Sequence, residues 1–265
     1  MPELNVQVIR SSSAGNCTAV WTPSMGFLID AGISRTLLCD FISENGNPVD
    51  AALITHAHND HLSNAACNFM LQNGIPLYMG NNQTLSAFEE FLPAFANMEG
   101  GIKLFNAAPF RVRDFNIIPF KVDHDAPGGC FGFNVFYRDR KIAYATDLVN
   151  VTKRLLPFFV DSDVIVIESN HDVDMLEKSA RPAYVKQRIK NEAHLSNEKC
   201  AAFLQTVLKK SRKKPSHLFM AHISSECNSR ELVKEIHEDS LLREEILGVK
   251  IVLTYHTRAS ERVTL

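Results

Sequence analysis

The chain has 265 residues, 45% of them hydrophobic and 22% charged, which is enough apolar material for a substantial α/β core. Its formal net charge of −2 excludes a polycation that binds nucleic acid by bulk charge, so any such binding must come from a local patch. Six cysteines without a CxxC pair exclude a disulfide frame or zinc ribbon and point to free thiols in a reducing, cytoplasmic compartment.

From the N-terminus, MPELNVQVIRSSS has no basic segment followed by an apolar run, so no secretory signal is expected. Apolar runs such as VIVI and FLPAF are too short to span a bilayer, and no membrane partner is expected. Strand patterns follow at NVQVI, TAVWT, GFLID, AALITH and PLYM, with helical periodicity over Leu62–Gln72 and Gln83–Phe95. A second run of strand patterns covers FNIIPFKV, FGFNVFY, KIAYATD, DVIVIES and HLFMAH. Helices are expected over Asn197–Lys210 and Arg230–Glu245, the first capped by Ser196 or Asn197 with Glu198 in its first turn. There is no repeat and no long linker, so residues 1–265 read as one domain. Two similar halves of strands and helices suggest an α/β (α+β) fold of two packed mixed sheets covered by helices, a four-layer αββα sandwich.

The densest chemistry is THAHNDHLSN, on the loop between the strand pattern AALIT and the helix pattern LSNAACNFML. Positions two apart in extended chain face the same way, so His56 and His58 can converge on one ion. Asp60 and His61 open a turn and suit a second. Further candidate ligands end apolar strands: His124 after IIPFKVD, Asp147 after KIAYAT and His222 after HLFMA. One carboxylate can bridge two cations about 3.5–4 Å apart, and Asp147 is placed to do so.

With these residues the chain resembles the metallo-β-lactamase superfamily, whose HxHxDH signature stands here as His56 to His61. The ordered set SSSAGNCT, LIDAG, DHDAPGGCFGF, ATDL, ESNHD, HLSNE and AHIS extends the likeness to the YycJ/WalJ-like branch of exonuclease-type proteins, over almost the whole chain. The resemblance implies the αββα fold and two divalent ions, zinc or manganese with iron a further choice. One ion takes His56, His58, His124 and Asp147; the other takes Asp60, His61, Asp147 and His222. It also implies that Asp30 braces the metal loops and that Asn16, Asn170, His171 and Ser196 are supporting or substrate-facing side chains. Two departures, Val149 after the bridging aspartate and Ala193 before HLSNE, stand where the family commonly has small residues or glycine.

Two divalent ions, two ligand carboxylates and a bridging hydroxide leave a site of net charge about +1, suited to an anionic substrate and to charge building on phosphorus. Asp60 would orient the hydroxide. ESNHD and HLSNE resemble the Glu and His pair of ribonuclease Z-like relatives, which makes Glu168 the residue that orients and charges His194, and His194 the general acid. The implied activity is phosphodiester cleavage, most simply by a 5′→3′ exonuclease with DNA rather than RNA as partner. The ligands alone also fit a small-molecule phosphodiesterase or a glyoxalase-type thioesterase, and a metal-dependent DNA-binding or scaffold protein is the non-enzymatic alternative. The basic stretch KKSRKK (209–214) reads first as a solvated helix end, whereas VKQRIK (185–190), beside His194, is a candidate phosphate contact. His217, His237 and His256 read as surface or core histidines.

Overall fold

In the computed structural model, residues 3–44, 46–80 and 101–265 are described. β1 (Asn5–Ser12), β2 (Gly15–Trp21) and β3 (Gly26–Ile29) are rich in branched apolar residues and form an antiparallel meander, with Val6 opposite Val20 and Thr18 opposite Ile29. From β3 onward the pairing is parallel, through β4 (Ala52–Leu53), β5 (Leu77–Gly80) and β6 (Ile102–Phe105). Parallel neighbours need crossovers, and α1 (Arg35–Glu44) and α2 (Asn64–Gln72) supply the first two. Leu38 and Phe41 of α1 and Ala66, Cys67 and Met70 of α2 join Trp21, Leu28, Ile54 and Met79 in one buried cluster. β14 (Val263–Thr264) pairs with β1 at the far edge.

The second seven-stranded sheet runs β13-β12-β11-β10-β9-β8-β7. β7 (Phe110–Val112) and β8 (Phe115–Val122) are antiparallel, as are β9 (Cys130–Tyr137) and β10 (Arg140–Ala145). β10, β11 (Val164–Glu168), β12 (His217–Ala221) and β13 (Lys250–Leu253) are parallel. β11 is buried at every position, which its unbroken VIVI run anticipates for a parallel strand. Three short helices, α3 (Leu156–Phe159), α4 (Val173–Lys178) and α5 (Ala183–Arg188), precede α6 (Asn197–Lys210) and α7 (Arg230–Arg243). The Ser196 hydroxyl accepts from the Lys199 N–H at the start of α6, and the helix buries Cys200, Phe203, Leu204 and Val207. Two mixed sheets with their helices are the αββα layers expected from the sequence. The described residues divide into two compact units, Met1–Lys121 with Ala126–Phe131 and Tyr255–Leu265, and Val122–Asp125 with Gly132–Thr254.

The helix expected over Asn197–Lys210 matches α6. α7 stops at Arg243 instead of Glu245, and α2 starts at Asn64 because Leu62 still belongs to the turn closed by its N–H on the His58 carbonyl. The strand AALITH is a ladder only at Ala52–Leu53; beyond Ile54 the chain leaves the sheet to build the histidine loop. α1, β13 and β14 were not expected from the sequence; β14 is only two residues long, whereas α1 and β13 carry apolar residues that the sequence reading passed over. The helix expected over Gln83–Phe95 lies outside the described residues. No helix of the described residues is long and apolar enough to cross a membrane.

Candidate metal centre

In the first unit the site grows from the C-terminal ends of two parallel strands. Asp30 follows β3 with φ +63°, a left-handed conformation that aspartate tolerates better than most residues. Its carboxylate is fully buried: Oδ1 accepts from the Thr55 N–H at 2.8 Å, and Oδ2 lies 2.8 Å from His61 Nδ1. Burial pushes the Asp30 carboxyl above its ordinary range, and His61 and Thr55 offset only part of that. The Thr55 hydroxyl, 2.9 Å from Asp30 Oδ1, lies 3.0 Å from His56 Nδ1. Its single proton serves Asp30, so its oxygen accepts from the His56 ring. His56 and His61 therefore both carry their proton on Nδ1, which makes Nε2 the lone-pair nitrogen of each ring.

His56 Nε2 lies 3.1 Å from His58 Nδ1. Tetrahedral coordination with metal–nitrogen bonds near 2.0–2.1 Å separates two ligand nitrogens by about 3.3 Å, so the pair is spaced as ligands to one cation. Asp60 Oδ2 is 3.4 Å from His61 Nε2. The Asn16 amide stands between them, 3.1 Å from Asp60 Oδ2 and 3.0 Å from His61 Nε2, and its backbone N–H donates to the Asp60 carbonyl. Such close approach needs glycine: a Cβ on Gly32 would stand 1.7 Å from the Asp60 carbonyl oxygen, and one on Gly15 would stand 2.2 Å from that of Gly32.

In the second unit Asp147 follows β10 at φ +57°, Glu168 ends β11 and His222 follows β12 at φ +53°, all at the carboxyl ends of parallel strands. Glu168 is fully buried with both oxygens committed. Oε1 is 2.8 Å from His194 Nδ1 and 3.0 Å from His222 Nδ1, and Oε2 accepts from the N–H groups of Leu148 at 2.7 Å and Leu195 at 3.1 Å. Burial opposes its ionisation, but His194 and His222 outweigh it and hold the carboxyl below the usual range. Asp147 Oδ1 lies 3.6 Å from His194 Nδ1 and 3.5 Å from His222 Nδ1. Donor atoms of Asp147, Glu168, His194 and His222 lie within 4.8 Å of one another.

His124 Nδ1 lies 3.1 Å from the Ala193 carbonyl, which a π-helical turn (Ile189–Ala193) presents. Burial pushes the His124 imidazole below its usual value, against the pull of Asp147, and the neutral ring is the form that ligates metal. Four of the expected ligands, His56, His61, His124 and His222, thus have Nδ1 engaged by an oxygen of the protein, which presents Nε2 to a metal; the donor set fits divalent cations. The two departures noted in the sequence lie below the surface. Ala193 is buried and acts through its carbonyl, while the Val149 N–H donates to the Asp123 carbonyl next to His124.

The remaining candidates support this cluster. The Asn170 amide donates to the His222 carbonyl at 2.7 Å, and its backbone N–H donates to Leu195, tying the loops of His222 and His194 together. His171 is buried and bridges in parallel to Ser196; burial holds its imidazole down at about 4. Behind them is a network that sequence reasoning missed. The Ser169 hydroxyl donates to Asn197 Oδ1 at 2.7 Å and accepts from His237 Nε2 at 3.0 Å, and the Asn228 amide donates to the carbonyls of Ser169 and Asn170. Thr55 stood inside the quoted motif without a role. The second histidine on Glu168 was also unforeseen, and no local spacing could reveal it.

About half of the basic side chains in the two stretches pair with carboxylates among the described residues. Arg188 pairs with Asp125 and Lys190 with Glu177, while Lys186 of the 185–190 stretch bonds the Glu177 carbonyl and has no carboxylate partner among the described residues. Lys209 pairs with Glu244, and Lys214 caps the carbonyl of Ser211 at the end of α6, as expected of a helix terminus.

Residues 26–218 match the family pattern described as a beta-lactamase superfamily domain. The chain is 29% identical to the exodeoxyribonuclease YycJ of Bacillus anthracis, over 96% of this chain and 94% of that protein. It is 29% identical to the exodeoxyribonuclease WalJ of Streptococcus pneumoniae, over 97% and 95%. The crystal structure of the metallo-beta-lactamase fold protein YhfI from Bacillus subtilis aligns with a TM-score of 0.72 at 14% identity, covering 100% of both chains.

Proposed function

The chain belongs to the metallo-β-lactamase superfamily, and from that premise we propose that it is a metal-dependent hydrolase of phosphodiester bonds that degrades DNA as a 5′→3′ exonuclease. One observation carries the reading. His194 Nδ1 is held at 2.8 Å by a carboxylate whose other oxygen is locked by two backbone N–H groups. That commits Nδ1 and leaves Nε2, on a ring whose side chain is 18% exposed, to deliver a proton to a leaving oxygen. A buried, ionised partner stabilises the imidazolium that the step requires. The near-full-length likeness to two exodeoxyribonucleases supports DNA as the substrate.

By the order of the family's motifs, His56, His58, His124 and Asp147 are assigned to one ion, and Asp60, His61, Asp147 and His222 to the other. Zinc or manganese suits mixed imidazole and carboxylate donors, and iron is also compatible. Bound there, the ions would supply hydroxide at neutral pH and offset charge on the phosphoryl oxygens. Asp60, held by Asn16, orients the attacking oxygen; His194 protonates the leaving one; Glu168 keeps His194 aligned. The family match runs through both compact units, in keeping with one functional domain over residues 1–265. Six free cysteines, five of them buried, suit a reducing cytoplasm.

The test is a panel of end-labelled single-stranded and duplex DNA, RNA, bis(p-nitrophenyl) phosphate and a glutathione thioester, each with Mn²⁺ or Zn²⁺. The expected result is stepwise release of nucleotides from DNA 5′ ends together with cleavage of the small phosphodiester. Hydrolysis of the thioester alone, or DNA binding without turnover in either metal, overturns the proposal.

A further inference from the structure

The second unit carries a groove that the catalytic cluster does not use. Its cavity of ≈ 400 Å³ falls in the size range of small-ligand sites, about 300–1,000 Å³. One wall is the segment Asn150–Lys153, three residues beyond Asp147, and the other is the first turns of α6, just beyond His194. Val151, Leu156, Ala202 and Phe203 make its apolar lining, and Phe203 is held edge-on against Phe159 at 5.1 Å between ring centroids. Lys153 and Lys199 stand on the rim, both exposed, and neither pairs with a carboxylate among the described residues. Lys199 Nζ reaches across to Asn150 Oδ1 at 3.2 Å.

The groove is locked to the chemistry through one atom. Glu168 Oε2 accepts from the Leu148 N–H, two residues before the first wall, and from the Leu195 N–H, which precedes the second. The oxygen beside it holds His194. The position of the groove relative to the proton donor is thus set by a buried, four-bonded carboxylate and not by a mobile loop.

We propose that this groove is a nucleotide subsite of the substrate strand. The base and sugar of the unit next to the scissile phosphate lie on the apolar lining, and Lys153 and Lys199 bind its flanking phosphate. An apolar floor with a cationic rim is the complement of a nucleotide: an uncharged heterocycle at one end and an anion at the other. A neutral amphiphile would leave both ammonium groups without an anionic partner, and inorganic phosphate would leave the apolar floor empty. The proposal rests on the phosphodiesterase reading above and adds to it where the strand lies.

Two measurements test it. Ala202→Trp fills the groove from an exposed helix position, and the double variant Lys153→Ala/Lys199→Ala removes its charge. With a single-stranded oligodeoxynucleotide and bis(p-nitrophenyl) phosphate as paired substrates, the ratio of their kcat/KM values should fall about tenfold in each variant, through the KM for the oligonucleotide. In the wild type, an oligonucleotide carrying 4-thiothymidine at its second position should photocrosslink to peptides containing Val151 or Phe203. An unchanged ratio, or crosslinks confined to other segments, overturns the subsite. If the wild type cleaves neither substrate but still crosslinks in the groove, the hydrolase reading fails and the subsite stands.

Discussion

His194 and His222 share one oxygen of Glu168, at 2.8 Å and 3.0 Å from their Nδ1 atoms. A single buried carboxylate therefore orients both the proposed proton donor and a proposed metal ligand, and the two roles separate by mutation. In Glu168→Gln an amide donor must face either two backbone N–H groups or two imidazole N–H groups. That arrangement costs about 1–3 kcal/mol of stability and lowers metal affinity ~10–100-fold. His194→Ala removes only the acid, so turnover should fall roughly 10²–10⁴-fold with metal content intact. Thermal melts, metal analysis and kinetics on the same preparations check both. Loss of a metal equivalent from His194→Ala would make that residue a ligand.

Asp30 performs the matching role in the first unit. Asp30→Asn suits the left-handed backbone at φ +63° and keeps the side-chain size, so the change isolates the carboxylate's charge. The His61 ring loses its anionic acceptor, and the Thr55 hydroxyl meets an amide in place of one oxygen. Metal affinity should drop ~10–100-fold, measured by chelator competition, with the secondary structure seen by circular dichroism unchanged. Wild-type affinity in the variant would mean that Asp30 is a packing carboxylate only.

The contrast between these two carboxylates shows how much was readable in the chain. His56 to His61 are six consecutive positions, and their spacing on a loop announces a metal site by itself. The strand-end placement of Asp30, Asp147, Glu168 and His222 was legible because each closes an apolar run. Which of them touch was not. Glu168 meets His222 across 54 positions and Asp30 meets His61 across 31, and those meetings follow from parallel strand order, which no local pattern encodes. α1 and β13 were missed although their apolar residues were there to be read, Leu38 and Phe41 in one and Ile251, Val252 and Leu253 in the other. His237 could not be sorted between core and surface, because a lone imidazole fits either.

The motifs SSSAGNCT and LIDAG owe their glycines to the close approach of three backbone segments. An added Cβ at Gly32 meets the Asp60 carbonyl, which is backbone and cannot rotate away. Gly32→Ala should displace the Asp60–His61 turn, lowering stability by about 1–3 kcal/mol and metal occupancy with it. Gly74→Ala is the control: its φ of +71° makes it cost a comparable ~1–2 kcal/mol, yet nothing lies within 4 Å of the new Cβ. Equal metal content in the two variants would refute a role for Gly32 in shaping the loop.

His237, like the buried His171, is a group through which acid should loosen the second unit. It is 2% exposed, and burial alone pushes its imidazole down to about 4, with no charged neighbour contributing. An unfolded histidine titrates near ~6.5. Between those values the unfolded chain binds a proton that the folded chain refuses, so stability rises with pH across this window and is lost as pH falls from about 6.5 toward 4. The full window is worth about 3 kcal/mol. His237→Gln keeps a donor for Ser169 and cannot titrate. Urea unfolding of both proteins between pH 4.5 and 7.5 should show the variant's stability curve flatter by up to ~1.4 kcal/mol per pH unit in the middle of the window. Parallel curves would place the acid sensitivity elsewhere.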